Sequence, residues 1–374
     1  MGTFFKNLIF TGLLILLSIP VVQAEFYYDA EEYNLSGHVF QIIPIDVNND
    51  SVIDLACANG GGYFSVLIGN GDGTFAAAVD YPSGAHTMSV IEGYFNADTI
   101  IDFACGNVND STISVFLGNG DGTFQSAITT PKLTYPPNSI AAGKYDADSL
   151  DDIVFVRANS STTDTLTILF NTGGGVMLSE TFIEVDRRTK QVLSADLDLD
   201  GDGDILVLHR EILGGAPDHA IWILKGNGDG TFAAPEFVDQ GGSVSINFVD
   251  GDGDPYIDLV VGATEVDINF SFGFLLQNDS TGTFTNGLAF VGDFTDSFLE
   301  LVAGNFNQDT LLDVAASTSQ GLVNGETYIY IKGGGGNASK FTLENWAHDL
   351  VATDFNGDGC TDLMISDNWV TNYT

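Results

Sequence analysis

Short apolar stretches, each of a strand's length, recur along the chain, and nowhere do apolar residues follow a helical period. One set comprises Phe40–Ile45, Met88–Ile91, Ser139–Ala142 and Gln191–Ala195, each followed by an Asp- and Asn-rich loop. A second set follows those loops, at Leu55–Ala58, Phe103–Gly106, Ile205–Leu208 and Leu259–Val261. A third comes next, at Phe64–Ile68, Ile113–Leu117 and Ile221–Leu224, and is closed by the motif GNGDGTF beginning at Gly69, Gly118 and Gly226. Asp-Gly between apolar runs is a strong hairpin signal, so each motif predicts a turn into a fourth strand. The motif has no lysine and no helix after it, which sets it apart from a phosphate-binding loop.

The loops recur with a fixed design: DVNNDSVIDLA from Asp46, YFNADTIIDFA from Tyr94, KYDADSLDDIV from Lys144, DLDLDGDGDIL from Asp196, DGDGDPYIDLV from Asp250, NFNQDTLLDVA from Asn305 and DFNGDGCTDLM from Asp354. Successive starts lie 48, 50, 52, 54, 55 and 49 residues apart. Seven repeats of four short strands predict an all-β, seven-bladed β-propeller over residues 25–374, with each Asp-rich loop joining the first and second strands of its blade. Phe26–Leu35 precedes the first loop as Phe75–Pro82 precedes the second, so the N-terminal strand is expected to complete the last blade and hide both sheet edges. After Asp362–Ile365 only residues 367–374 remain, so that blade is expected to be one strand short: either the ring closes thinly or the sequence is a fragment.

Composition adds compartment and partners. Lys6, the apolar run Leu8–Ile19 and Val22-Gln23-Ala24 before Glu25 have the form of a secretory signal peptide over residues 1–24, with an uncleaved anchor as the alternative. Its removal leaves 10 basic and 51 acidic residues, a net charge of −41. Such a charge repels nucleic acid and anionic membranes and excludes both as partners, and no second long apolar segment inserts after cleavage. A chain that is 44% hydrophobic still builds a core, so the acid needs a role. Cys57, Cys105 and Cys360 are read as small buried apolar residues, since the first two occupy equivalent positions a full blade apart.

The acid is placed in register. Counting each loop from its first residue, position 3 is Asn or Asp, and positions 5 and 9 are always Asp, whereas position 7 is Val52, Ile100, Leu150, Asp202, Tyr256, Leu311 or Cys360. That indifference suits a backbone-carbonyl ligand, and the set matches the oxygen cage of Ca²⁺ better than that of Mg²⁺, which keeps its waters. Asp, Asn and Gly also make good turns, which explains the residue types but not the register. Position 1 separates the loops. Five have an oxygen there and are expected to bind calcium: Asp46 (with Asn48, Asp50, Val52, Asp54), Asp196 (Asp198, Asp200, Asp202, Asp204), Asp250 (Asp252, Asp254, Tyr256, Asp258), Asn305 (Asn307, Asp309, Leu311, Asp313) and Asp354 (Asn356, Asp358, Cys360, Asp362). The loops led by Asp196 and Asp250 should be strongest and that led by Asn305 weakest. Tyr94 and Lys144 supply no such oxygen, and the Lys144 ammonium is expected to replace the ion by pairing with Asp146, Asp148 and Asp152.

These loops and hairpins together resemble FG-GAP/VCBS repeats, the blade unit of integrin α-chain propellers and of many secreted microbial proteins. The resemblance covers residues 26–374 and implies calcium loops on the lower face and ligand contacts on the upper face.

On that upper face His38 and His86 share one register, eight residues before position 1, as loop residues or as ligand contacts. Arg187, Arg188, Lys190, Arg210 and Lys225 hold half of the ten basic residues left after cleavage. Arg187, Arg188, His209 and Arg210 are expected at the upper face, either as a basic island for an acidic glycan or protein ligand or paired locally with Glu184, Asp186, Glu211 and Asp218. Three function classes follow: an extracellular binding or adhesion module, secreted, surface-held or periplasmic; a lyase-like polysaccharide enzyme, for which no nucleophile or metalloprotease motif argues; and a passive part of an envelope assembly.

Overall fold

The computed structural model describes residues 13–18, 29–157, 163–186, 189–209, 221–238, 243–251, 253–265, 270–294, 297–306, 312–319, 327–332, 339–343 and 346–368. Among them every regular element is a strand, and the strands form seven four-stranded antiparallel sheets. Blade 1 shows the plan: Val39–Ile45, Asp54–Asn59, Tyr63–Leu67 and Val79–Pro82 pair in chain order. The first strands of neighbouring blades touch at six of the seven junctions, Trp346–Thr353 of the last blade meeting Val39–Ile45 of the first, and at the seventh Ser243–Val249 meets the second strand of the blade before it, Asp204–His209.

Apolar side chains pack mostly between blades. Val47, Ala56, Phe64 and Val66 of blade 1 cluster with Val90, Phe103, Cys105 and Phe116 of blade 2, and the other clusters bridge neighbouring blades likewise. Phe64 stands 5.0 Å from both Phe103 and Phe116, ring to ring. Burying such a side chain contributes about 1.5–3 kcal/mol. All three cysteines are buried free thiols, as their repeat positions imply.

A belt of polar side chains stitches the first strands together. Gln41, Ser139, Ser245 and Asp349 accept backbone N–H bonds from the next blade, from Val90 (3.0 Å), Val192 (3.1 Å), Leu301 (3.0 Å) and Ile42 (2.6 Å). The last of these closes the seam between the last and first blades.

That last blade departs from expectation. It is not a strand short: Trp346–Thr353 and Asp362–Asn368 are joined by Leu13–Ser18 and then by Asp29–Asn34 as the outermost strand. An uninterrupted apolar run suits a strand flanked on both sides as well as it suits a leader, and sequence pattern alone does not separate the two. Tyr33 in the outermost strand accepts a hydrogen bond from Phe75 N–H (3.1 Å), as Tyr81 does from Phe124 N–H (3.2 Å) one blade on.

Candidate metal loops

Each Asp-rich loop joins the first strand of its blade to the second, and its position 9 opens that second strand. This aspartate is nearly fully buried in all seven loops. Its Oδ2 accepts the backbone N–H of position 2: Val47, Phe95, Tyr145, Leu197, Gly251, Phe306 and Phe355, at 2.9–3.3 Å. Its Oδ1 accepts the N–H at the end of the third strand, from Gly69, Gly118, Asn171, Gly226 or Asn278, at 2.7–2.9 Å. Burial lifts the carboxyls of Asp102 and Asp204 to about 6 and of Asp152 to about 7, against the pull of those backbone bonds. Position 9 is therefore a bolt between loop and sheet in loops with and without an anion at position 1. A reading of the register as ligands alone misses this role. Its signal is in the sequence: position 9 stays Asp beside Tyr94 and Lys144.

Positions 3 and 5 close tight side-chain turns. Asn48, Asn96, Asp146 and Asn356 accept the N–H of position 5 at 2.7–2.9 Å. Asp50, Asp98, Asp148, Asp200, Asp254 and Asp358 accept that of position 7 at 2.8–2.9 Å. The loops diverge at position 1. Asp196 receives Asp200 N–H (3.1 Å) and Gly201 N–H (3.0 Å), and Asp354 receives those of Gly357, Asp358 and Gly359 at 2.7–3.2 Å. Asp46 and Asp250 act alike, receiving Ser51 N–H (2.8 Å) and Gly253 N–H (2.7 Å).

These four loops wind through left-handed backbone at position 4 (Asn49, Leu199, Gly253, Gly357), and three of them again at position 6 (Ser51, Gly201, Gly359). Leu199, at φ 58°, has neither glycine's freedom nor a short polar side chain to ease the conformation. The loops led by Tyr94 and Lys144 have no positive φ at these positions.

In the loop led by Asp196, carboxylate oxygens of Asp196, Asp198 and Asp204 lie within 4.8 Å of one another. Asp198 Oδ1 is enclosed and accepts no hydrogen bond. Burial, then the charges of Asp200 and Asp196, hold its carboxyl above the ordinary range, while Lys225 pulls the other way. Position 7 side chains point out of the loops: Val52, Ile100 and Asp202 crowd Gly69, Gly118 and Gly228 of their own hairpins. Asp252, Asn307, Asp309 and Leu311 lie outside the described residues.

One expectation about a cation is corrected. Lys144 is exposed and, among the described residues, makes no ion pair with Asp146, Asp148 or Asp152; its charge bears on Asp151. Asp151 Oδ2 accepts Tyr94 N–H (2.7 Å), so the loops of blades 2 and 3 meet through that carboxylate. Lys225, counted with the basic set of repeat four, pairs with Glu236 (3.2 Å) and donates to Thr281 O on the loop face.

At the other face His86 packs edge-on against Phe40, 5.0 Å between rings, and His38 stands two residues before that Phe40. His209 is only 2% exposed, set against Trp222 and within 3.3 Å of Thr189 Oγ1, which removes it from the accessible surface. Lys190 is exposed, and its charge lowers the raised pKa of Glu300 in the polar belt. Arg187, Arg188 and Arg210 lie outside the described residues.

Residues 94–155 match the family described as FG-GAP-like repeat. No curated protein matches the sequence. Among solved structures, the chain is similar to BBS1N in complex with ARL6DN, soaked with lead: 12% identity, TM-score 0.52, covering 91% of this chain and 95% of that one. The same complex soaked with mercury gives 12%, 0.53, 91% and 94%. The Dos1 propeller gives 9%, 0.49, 90% and 82%. The likeness to the first two, at 12% identity, is one of fold. With the recurring loops and the seven four-stranded sheets, the chain is a β-propeller that carries an FG-GAP-like repeat over residues 94–155.

Proposed function

We propose that the protein is a calcium-loaded binding module exported from the cell, in which the metal loops stiffen the lower face and the upper face meets an extracellular glycan or protein. The observation that carries the metal reading is the convergence of Asp196, Asp198 and Asp204 around a carboxylate oxygen that accepts no hydrogen bond. Three hard, anionic oxygens in one tightly wound loop suit Ca²⁺, and without a cation they repel one another. In this loop Asp196 and Asp198 would hold the ion, with Asp204 shared between the ion and the sheet. The loops led by Asp46, Asp250 and Asp354 share the position-1 turns and support the same role; the loop led by Asn305 is included on its residue types.

The binding role rests on a large rigid scaffold with a strongly negative field, against which Arg187, Arg188 and Arg210 would select an acidic partner. The burial of His209 and the position of Lys225 leave the arginines as the core of that set. Adding EDTA to the calcium-loaded protein should lower its melting temperature by several degrees, since an ion that binds only the folded state stabilises it by mass action. An acidic-glycan array should give binding that Arg188→Glu with Arg210→Glu abolishes. An unchanged melting temperature removes the calcium reading, and unchanged glycan binding in the double variant removes the arginines from the ligand site.

A further inference from the structure

The last blade is built from both ends of the chain, and its third strand is the apolar segment Leu13–Ser18. Leu13 to Leu17 pair antiparallel with Asp367 to Leu363 on one side, and Leu13 to Ser18 with Asn34 to Asp29 on the other. The spacing of the repeat places this segment independently. In blades 1, 2 and 4 the third strand ends at Leu67, Phe116 and Leu224, and the phenylalanine closing GNGDGTF follows eight residues later, at Phe75, Phe124 and Phe232. Ser18 and Phe26 are separated by the same eight residues. So the segment has the length, composition and register of a third strand as well as the form of a leader.

Its neighbours also make contacts that do not involve it. Tyr33 ties the outermost strand to Phe75 of blade 1, while Asp362–Asn368 is paired on its far side with Trp346–Thr353. Leu363, Met364, Ile365 and Ser366 are fully buried with the segment in place. We propose that Leu13–Ser18 is a latch strand of the folded ring, and that cutting the chain before Glu25 and releasing the N-terminal piece opens a slot one strand wide between Asp362–Asn368 and Asp29–Asn34. An open strand edge offers unpaired N–H and C=O groups, so the slot would take back an apolar strand of the same kind.

The test uses the full chain with a protease recognition sequence inserted between residues 18 and 29, cut after folding. The N-terminal fragment should stay with the ring in equal amount through gel filtration. The amides of Leu363–Asp367 that face it should keep their slow hydrogen exchange, and should speed up on the order of 100-fold once the fragment is stripped off. A synthetic peptide of residues 10–21 added to the stripped ring should restore the slow rate, and the same peptide carrying Ile15→Asp and Leu17→Asp should not. If the ring unfolds on stripping, the same exchange measured on the uncut chain carrying Ile15→Asp and Leu17→Asp supplies the comparison, with the same acceleration expected. A fragment that separates on cutting with no change in exchange at Leu363–Asp367, or a double variant that exchanges like the parent, overturns the proposal.

Discussion

The loops of blades 4 and 2 share a plan and differ at one end. In both, the last aspartate, Asp204 or Asp102, is buried and bolts the loop to the sheet through the same two backbone bonds. In both, position 5 closes the same turn. The difference lies at position 1. Asp196 gathers the N–H groups of Asp200 and Gly201, and Leu199 and Gly201 turn left-handed beneath it. Tyr94 bonds to the next blade instead, its N–H donating to the Asp151 carboxylate and its carbonyl accepting Asp151 N–H, and its side chain is 44% exposed. The aspartate at position 9 is thus a structural requirement of both loops, and the loop without an acid at position 1 keeps it; on the proposed calcium reading, position 1 is where the two part.

The largest expected effect breaks what the two loops share. Asp102→Ala and Asp204→Ala, each measured by urea unfolding in excess EDTA, should both cost about 3 kcal/mol, because each leaves two enclosed N–H donors unpaired. A much smaller cost at Asp102 would mean that position 9 matters only where metal binds. Next, Asp196→Ala should lower the calcium content by one ion per chain. It should also remove up to about 2.7 kcal/mol of calcium-dependent stability at free calcium 100-fold above Kd. Tyr94→Ala should leave the ion count unchanged. Then Leu199→Gly should stabilise the calcium-free protein by about 1 kcal/mol by relieving left-handed strain, whereas Ala97→Gly in the blade 2 loop should destabilise it slightly.

The smallest effect concerns a carboxylate outside every loop. Burial, and then the charge of Glu300, push Asp349 up to about 7. The folded state therefore holds a proton that the unfolded chain releases near pH 4, so stability should fall as pH rises from about 4 to 7 and level off above that. Asp349→Asn keeps an oxygen for Ile42 N–H and should flatten that slope. The variant should gain stability at pH 8 and none at pH 4.

Much of this was legible in the sequence. The repeat period, the four strands per unit and the place of each Asp-rich loop follow from apolar spacing and turn residues, and position 1 marked the loops that the backbone later set apart. The rest needed geometry. The constancy of position 9 sets Asp204 apart from Asp198 in the sequence, but that Asp204 is buried and bonded to the sheet while Asp198 is partly exposed shows only in the geometry. Lys144 looked like a substitute cation by proximity in sequence, yet among the described residues it makes no ion pair with Asp146, Asp148 or Asp152. The run at Leu13–Ser18 satisfies two patterns at once, and its pairing partners, far off at Leu363–Asp367, show the second. His209 and Arg210 are adjacent in sequence, but a strand end turns the histidine into the core.

On the calcium reading, an oxygen at position 1, and not the shared aspartates at positions 5 and 9, decides which loops hold an ion. Counting calcium per chain by equilibrium dialysis and atomic emission tests it most directly. The account predicts five ions, in the loops led by Asp46, Asp196, Asp250, Asn305 and Asp354. Seven ions, or none, would contradict it.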